Sequence, residues 1–329
     1  LIIDAHAHVI PKDYPHREGF PAMEPVAGDT ARTLVFGSTR FTAKEVFFET
    51  EKRLEAMDAS GVTEEILSPM PPLLKYDLDA ALGLDVARYV NETMAEHVRG
   101  GGGRIHALGM VPMQDPEAAT AELASFAGLG LVGVEVASHV LGTAIGDARF
   151  LPFFDEVRRL GLSVLIHTMP RPDEPSLDAQ FRASIGVGIE GARAATSLVL
   201  GPTAHACEPD RVLFTHAAGG LPFMLARADY FWGNADPATR SAEPPSVLAK
   251  RFLYDSMVFD PRGLRFVVDY LGADRLVLGT DFPAMPRPAQ LGATIDELSL
   301  SAEDRGRIAY ANAVRFLGRE DAGSASPAR

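Results

Sequence analysis

Eight short apolar runs, each separated from the next by a helical pattern, constrain this chain more than any other feature. They fall at 1–8, 65–69, 105–112, 132–136, 163–167, 211–216, 251–255 and 276–281. Near-continuous runs of that length read as strands buried on both faces. Between them, helices are expected at 82–99, 116–127, 150–160, 185–200, 222–231, 263–271 and 301–317. A further helix is expected at 42–60, where Val46, Phe47, Leu54 and Met57 share a side and Gly61 is the stop. Such alternation requires a parallel sheet covered by helices, and eight strands suit a closed (β/α)₈ barrel better than an open sheet. No G-x-G-x-x-G follows a strand, so a dinucleotide-binding fold has little support. The expected organisation is one barrel domain over 1–320, with a helical insertion after strand five and a disordered tail of small residues over 321–329. The Pro- and Gly-rich stretch 10–39 is expected to be an irregular lid or wall.

Composition removes several function classes. A formal net charge of −13 argues against nucleic acid, which needs clustered Lys and Arg. A small anionic substrate stays open, because a few cations inside a pocket suffice. No apolar run is long enough to cross a membrane, and no export leader opens the chain, so a cytoplasmic location is expected. Cys207 is the one cysteine, which excludes an internal disulfide and a cysteine-rich zinc site.

The first run ends in Asp4-Ala5-His6-Ala7-His8. Side chains two apart on a strand share a face, so His6 and His8 project together as half of a metal site. Taken alone, the pair could be two unrelated polar residues. Further candidates close other runs: His167 ends strand five, His216 strand six and Asp281 strand eight. In a barrel of this type the active site lies at the C-terminal ends of the strands. Five ligand or acid–base groups meeting at one rim argue for a site over isolated structural histidines.

These segments, with Phe214-Thr215-His216 and Leu278-Gly279-Thr280-Asp281-Phe282-Pro283, resemble the signature set of the amidohydrolase superfamily. Within it, Gly109 to Asp115, Gly133 to His139 and Phe214 to Arg227 resemble the aminocarboxymuconate semialdehyde decarboxylase-like branch. The resemblance implies that His6, His8, His167 and Asp281 hold one divalent ion, zinc first and manganese as the alternative. Strand four lacks the bridging lysine of dinuclear members, which favours a single ion. His216 is then the acid–base group.

The resemblance also implies that Arg40 and Arg227 grip a substrate carboxylate, a task suited to the planar guanidinium fork. In the branch the arginine matching Arg227 enters the neighbouring subunit's site, which implies a homodimer. After His167 the branch has Pro-Trp-Asp, whereas this chain has Thr168-Met169-Pro170-Arg171-Pro172-Asp173, so its substrate is expected to differ. Arg171 and His139 are candidate substrate contacts, each with a bland alternative as a surface or rim-ordering residue. The implied activity is metal-dependent, non-oxidative decarboxylation of a small unsaturated or aromatic acid. Hydrolysis or hydration on the same scaffold is the alternative, and a metal-binding scaffold without turnover is the third reading.

Overall fold

A computed structural model describes residues 1–171, 179–238 and 240–319. Its eight-stranded parallel sheet comprises β1 (Ile3–Val9), β2 (Glu64–Pro69), β3 (Ile105–Gly109), β4 (Gly133–Ala137), β5 (Ser163–His167), β6 (Val212–Phe214), β7 (Leu253–Asp255) and β8 (Leu276–Val277), adjacent in that order. The two ends meet: Ala5 N–H donates to the Leu278 carbonyl and His8 N–H to the Phe282 carbonyl, both at 2.8 Å. These bonds close the barrel, as the eightfold alternation predicts. The expected tail from 321 lies outside the described residues.

The interior of the barrel is filled from below by Ile3, Ala5, Ile66, Leu108, Leu165, Leu213, Leu253 and Val277. Val314, Phe316 and Leu317, from the end of the last helical run, close that layer. A second, larger core lies between the strands and the surrounding helices. The helix Pro261–Leu271 illustrates how the sequence builds that outer layer. Asp260 caps it by accepting from Arg262 and Gly263 N–H, and proline occupies its first turn. Leu264, Val267, Val268 and Leu271 then form one buried stripe at helical spacing.

Two expectations need correction. The stretch 10–39 is not irregular throughout: Ala22–Pro25, Arg32–Phe36 and Thr39–Ala43 form an antiparallel sheet. Gly37, at φ 59°, and Ser38 make its tight second turn, a hairpin signal that the surrounding Pro and Gly obscured. The expected helix 42–60 therefore starts later, as Thr50–Ala59.

The second correction concerns strand ends. β6 stops at Phe214 and β8 at Val277, so His216 and Asp281 stand on irregular backbone beyond their strands. Both have left-handed backbone, with φ 54° and 56°, and Ala217 and Ala218 continue that conformation after His216. Non-glycine residues adopt this region rarely, and such strain concentrates at functional sites.

Candidate functional site

A β-bulge sets the first two ligand candidates. The pairing of β1 with β2 shifts register between Asp4 and Ala7. Ile3 and Ala5 belong to the inner core, yet Ala7 and Val9 belong to the outer one. The phase therefore changes at the bulge, which turns His6 and His8 inward above Ala5. On β5 the alternation is regular, and His167 stands one pleat above Leu165.

The imidazoles of His8 and His216 each lie 5.0–5.4 Å, centroid to centroid, from those of His6 and His167, which are themselves 5.1 Å apart. His6 Nε2 and His8 Nε2 are 3.1 Å apart, and His8 Nε2 is 3.1 Å from Asp281 Oδ1. His216 Nε2 lies 3.7 Å from Asp281 Oδ2. The five predicted residues thus come together.

Their outer nitrogens fix the tautomers. His6 Nδ1–H donates to Asp255 Oδ2 at 2.7 Å, His8 Nδ1–H to the Pro69 carbonyl at 3.1 Å, and His167 Nδ1–H to the Thr168 carbonyl at 2.9 Å. Each of these oxygens can only accept, and the Ser68 hydroxyl, 3.0 Å from His8 Nδ1, can accept from it as well. The three Nε2 atoms are therefore lone-pair donors pointing inward, and the buried His167 Nε2 has no hydrogen-bond partner among the described residues. Convergent nitrogen lone pairs beside a carboxylate repel one another unless a cation lies among them. The donor set fits a divalent ion.

Electrostatics agrees with that arrangement. Burial, and then the neighbouring His8 and His6, hold His167 well below the usual imidazole range. Burial opposes ionisation of Asp281, but the neighbouring imidazoles, His216 and His8 first, outweigh it and hold the carboxyl far below the carboxylate range. Burial likewise opposes ionisation of Asp255, and the bond from His6 outweighs it.

Other residues hold this cluster in place, and the sequence did not single them out. Asp255, at the end of β7, also accepts from the N–H of Ala217, at 2.9 Å, and so ties the His216 turn to His6. Arg53, fully buried, donates to the His8 carbonyl. Phe282, next to Asp281, lies between the guanidinium groups of Arg287 and Arg53, at 4.1 and 5.2 Å. Arg287 is itself paired with the buried carboxylates of Asp4 and Glu65. A charged residue closing an apolar strand, as Asp255 does, was the available signal.

His167 and Asp281 form the floor of a cavity of about 510 Å³. Met70, Leu74, Tyr76, Leu141 and Met169 supply apolar walls, and Lys75 is the one Lys or Arg among the described lining residues. Its ammonium is 2.8 Å from Asp77 and 6.0 Å from the Phe36 ring centre. Lys75 sits in a polar Lys-Tyr-Asp stretch that reads as an ordinary turn, so the sequence hid it.

The remaining expected substrate contacts are placed differently. His139 lines the cavity, but Gly142 N–H donates to its Nδ1 and its Nε2–H donates to the Pro170 carbonyl, so it ties two rim loops together. Arg171 donates to the Gly142 carbonyl and is not among the lining residues. Arg40 is on the Thr39–Ala43 strand, exposed, and paired with Glu24 at 2.6 Å. Arg227 stands on the outer face of the helix Leu221–Gly233, over the Phe231 ring at 4.9 Å, and does not line its own cavity.

Comparison with known proteins places this geometry in context. The profile of a family described as Amidohydrolase matches residues 3–319. The 2-amino-3-carboxymuconate-6-semialdehyde decarboxylase of Dictyostelium discoideum is 28% identical, over 97% of this chain and 92% of that protein. The gamma-resorcylate decarboxylase of Rhizobium radiobacter is 27% identical, over 81% of this chain and 86% of that protein. The fold resembles the 5-carboxyvanillate decarboxylase of Novosphingobium aromaticivorans, solved with manganese and 4-hydroxy-3-methoxy-5-nitrobenzoic acid. That likeness has a TM-score of 0.77 and 20% identity, and covers 97% of this chain and 96% of that one.

Proposed function

Because the chain belongs to the amidohydrolase family, we propose that the cluster is the active centre of a metal-dependent decarboxylase of a small aromatic or unsaturated carboxylic acid. The observation that carries this reading is the convergence of three imidazole lone pairs and Asp281, with His167 and Asp281 on the floor of an apolar cavity that also holds Lys75. Relatives that span most of the chain bear the names of decarboxylases of such acids.

His6, His8, His167 and Asp281 would hold one divalent ion. Manganese is favoured over zinc, because structural neighbours of this fold were solved with manganese. When bound, such an ion supplies a Lewis acid that polarises substrate oxygens. The walls made by Met70, Leu74 and Met169 accept a flat, apolar ring or polyene and exclude water from it. Lys75 neutralises an anionic substituent, in place of the exposed Arg40. His216 holds a proton at Nε2, facing Asp281. It delivers that proton to the carbon bearing the carboxylate. The bond from that carbon to the carboxylate then breaks, its electron pair returns to the unsaturated system, and CO₂ leaves.

The outer face around Arg227 fits a second copy of this chain. Phe223, Met224, Tyr230 and Phe231 are at least half exposed beside it, an apolar patch that a homodimer would cover. Arg227 then completes the partner's site. No described helix is long and apolar enough to cross a membrane, and we place the enzyme in the cytoplasm.

The test is CO₂ release from a panel of aromatic and muconate-type acids by manganese-loaded protein. CO₂ in stoichiometry with the decarboxylated product supports the proposal. Turnover of esters, amides or lactones with no CO₂ from any acid overturns it in favour of hydrolysis.

A further inference from the structure

One further titratable group is buried beside the cluster. Glu135, in the middle of β4, is fully buried, and among the described residues neither of its carboxylate oxygens has a partner at good hydrogen-bond geometry, although the Ser68 hydroxyl stands near it. Pairing with β5 sets it opposite Leu165, one pleat below the level at which Ala137 faces His167. One ligand atom each from Glu135, His8 and His167 all lie within 4.8 Å of one another. Two donors on one ion, with bonds of about 2.0–2.2 Å, are at most about 4.4 Å apart, so the three atoms need approach by no more than a few tenths of an ångström to share one.

The lack of partners can be read chemically. His167 Nε2 bears no proton, because its Nδ1–H is committed to the Thr168 carbonyl. His8 Nδ1–H is committed in the same way to the Pro69 carbonyl. A carboxylate also only accepts. With Glu135 ionised, these groups therefore cannot satisfy one another, and each left alone and buried costs free energy. A cation among them satisfies all three.

We propose that Glu135 is a fifth protein ligand of the divalent ion, and that this second carboxylate turns the site's preference toward manganese. The proposal rests on reading the cluster as a metal centre. Imidazole suits zinc at least as well as manganese, whereas carboxylate oxygen favours the harder ion. Three imidazoles with one carboxylate would leave the choice near zinc, and Glu135 shifts it. It does so from strand four, the strand whose missing lysine argued for a single ion, and one ion per chain is still the expected count.

The experiment measures metal binding without turnover. Wild-type and Glu135→Gln chains are stripped of metal and titrated with manganese alone and with zinc alone, with electron paramagnetic resonance following bound manganese. The expected result is a loss of manganese affinity of about 10²-fold, a smaller loss for zinc, and a changed manganese spectrum. Manganese affinity within threefold of wild type, with an unchanged spectrum, overturns the proposal. If Glu135→Gln does not fold, Glu135→Leu is melted with and without manganese. Its metal-free Tm should equal or exceed that of wild type, because a buried unpartnered carboxyl is gone, and manganese should raise Tm less than in wild type. An undiminished manganese-induced rise overturns the proposal. Failure of the wild-type chain to bind either ion overturns the metal-centre reading and this inference with it.

Discussion

The two ends of the barrel interior are built from the same strands by opposite rules. At the lower end, Ile3, Leu108, Leu165, Leu213 and Val277 meet in a closed layer without a polar atom among their side chains. One pleat or one short turn further along, the chain offers His6, His8, His167, His216 and Asp281, with Glu135 beneath them. Below, close packing stabilises the fold and any polar group would be a cost. Above, lone pairs crowd together, buried acceptors lack partners, and four consecutive residues, His216 to Gly219, have positive φ. The lower layer and the outer core hold the upper cluster in an arrangement it would not adopt alone. The boundary between the two regimes is sharp, two residues wide on β5.

The comparison breaks first at a ligand. His8→Ala should lose the ion and with it all measurable turnover, while the chain still folds, since the lower layer is untouched. Metal analysis and calorimetry of the same sample check both halves. Two ions per wild-type chain, or an unfolded His8→Ala chain, would mean that the upper cluster is organised differently from this account. His216→Ala should keep the ion and lose about 10²–10⁴-fold in rate. Loss of the ion along with the rate would make His216 a ligand, a role its place with His6, His167 and Asp281 permits.

Leu165→Ala probes the other regime with a truncation two residues from His167. It should cost about 2–5 kcal/mol of stability and leave metal affinity within a few-fold of wild type. A large fall in metal affinity would show that the two layers are not mechanically separable. Asp255→Asn lies on the boundary. It keeps an acceptor for Ala217 N–H but weakens the hold on His6 Nδ1, and metal affinity should fall about 10–100-fold. Dialysis against a competing chelator measures it.

How far this division was legible in the sequence follows from its physics. The lower regime is written in local pattern: Leu165 and Leu213 lie in apolar runs, and their strands appeared where expected. His6 and His8 were found by two-residue spacing, although a bulge that no spacing reveals turns them inward. His216 and Asp281 were placed on strand ends, whereas strained backbone beyond the strands holds them, because apolar continuity does not register φ. Glu135 and Asp255 are single charges in apolar runs, and their roles depend on neighbours many residues away in sequence. The hairpin Arg32–Phe36 and Thr39–Ala43 was missed because a short two-sided sheet alternates only weakly: Leu34 and Phe36 are buried, Thr33 and Val35 half so.

The smallest effect gives the finest test, because one chemical change can be made in both regimes. Ala5 and Ala218 are both fully buried, but Ala5, beside the bulge of β1, has no positive φ, whereas Ala218 has φ 53°. Ala5→Gly removes a methyl worth about 0.8 kcal/mol and adds the roughly 0.5–1 kcal/mol penalty of glycine in a strand. The two losses add, and denaturant titration should find about 1.5 kcal/mol of destabilisation. Ala218→Gly suffers the same losses but relieves a left-handed alanine, which costs about 1–2 kcal/mol. The terms cancel, and stability should stay within about 1 kcal/mol of wild type. The freed backbone no longer holds His216 against Asp281, so turnover should fall while the ion stays bound. Equal destabilisation by the two substitutions would show that no strain is stored in the turn, and that the upper end is held by packing as the lower end is.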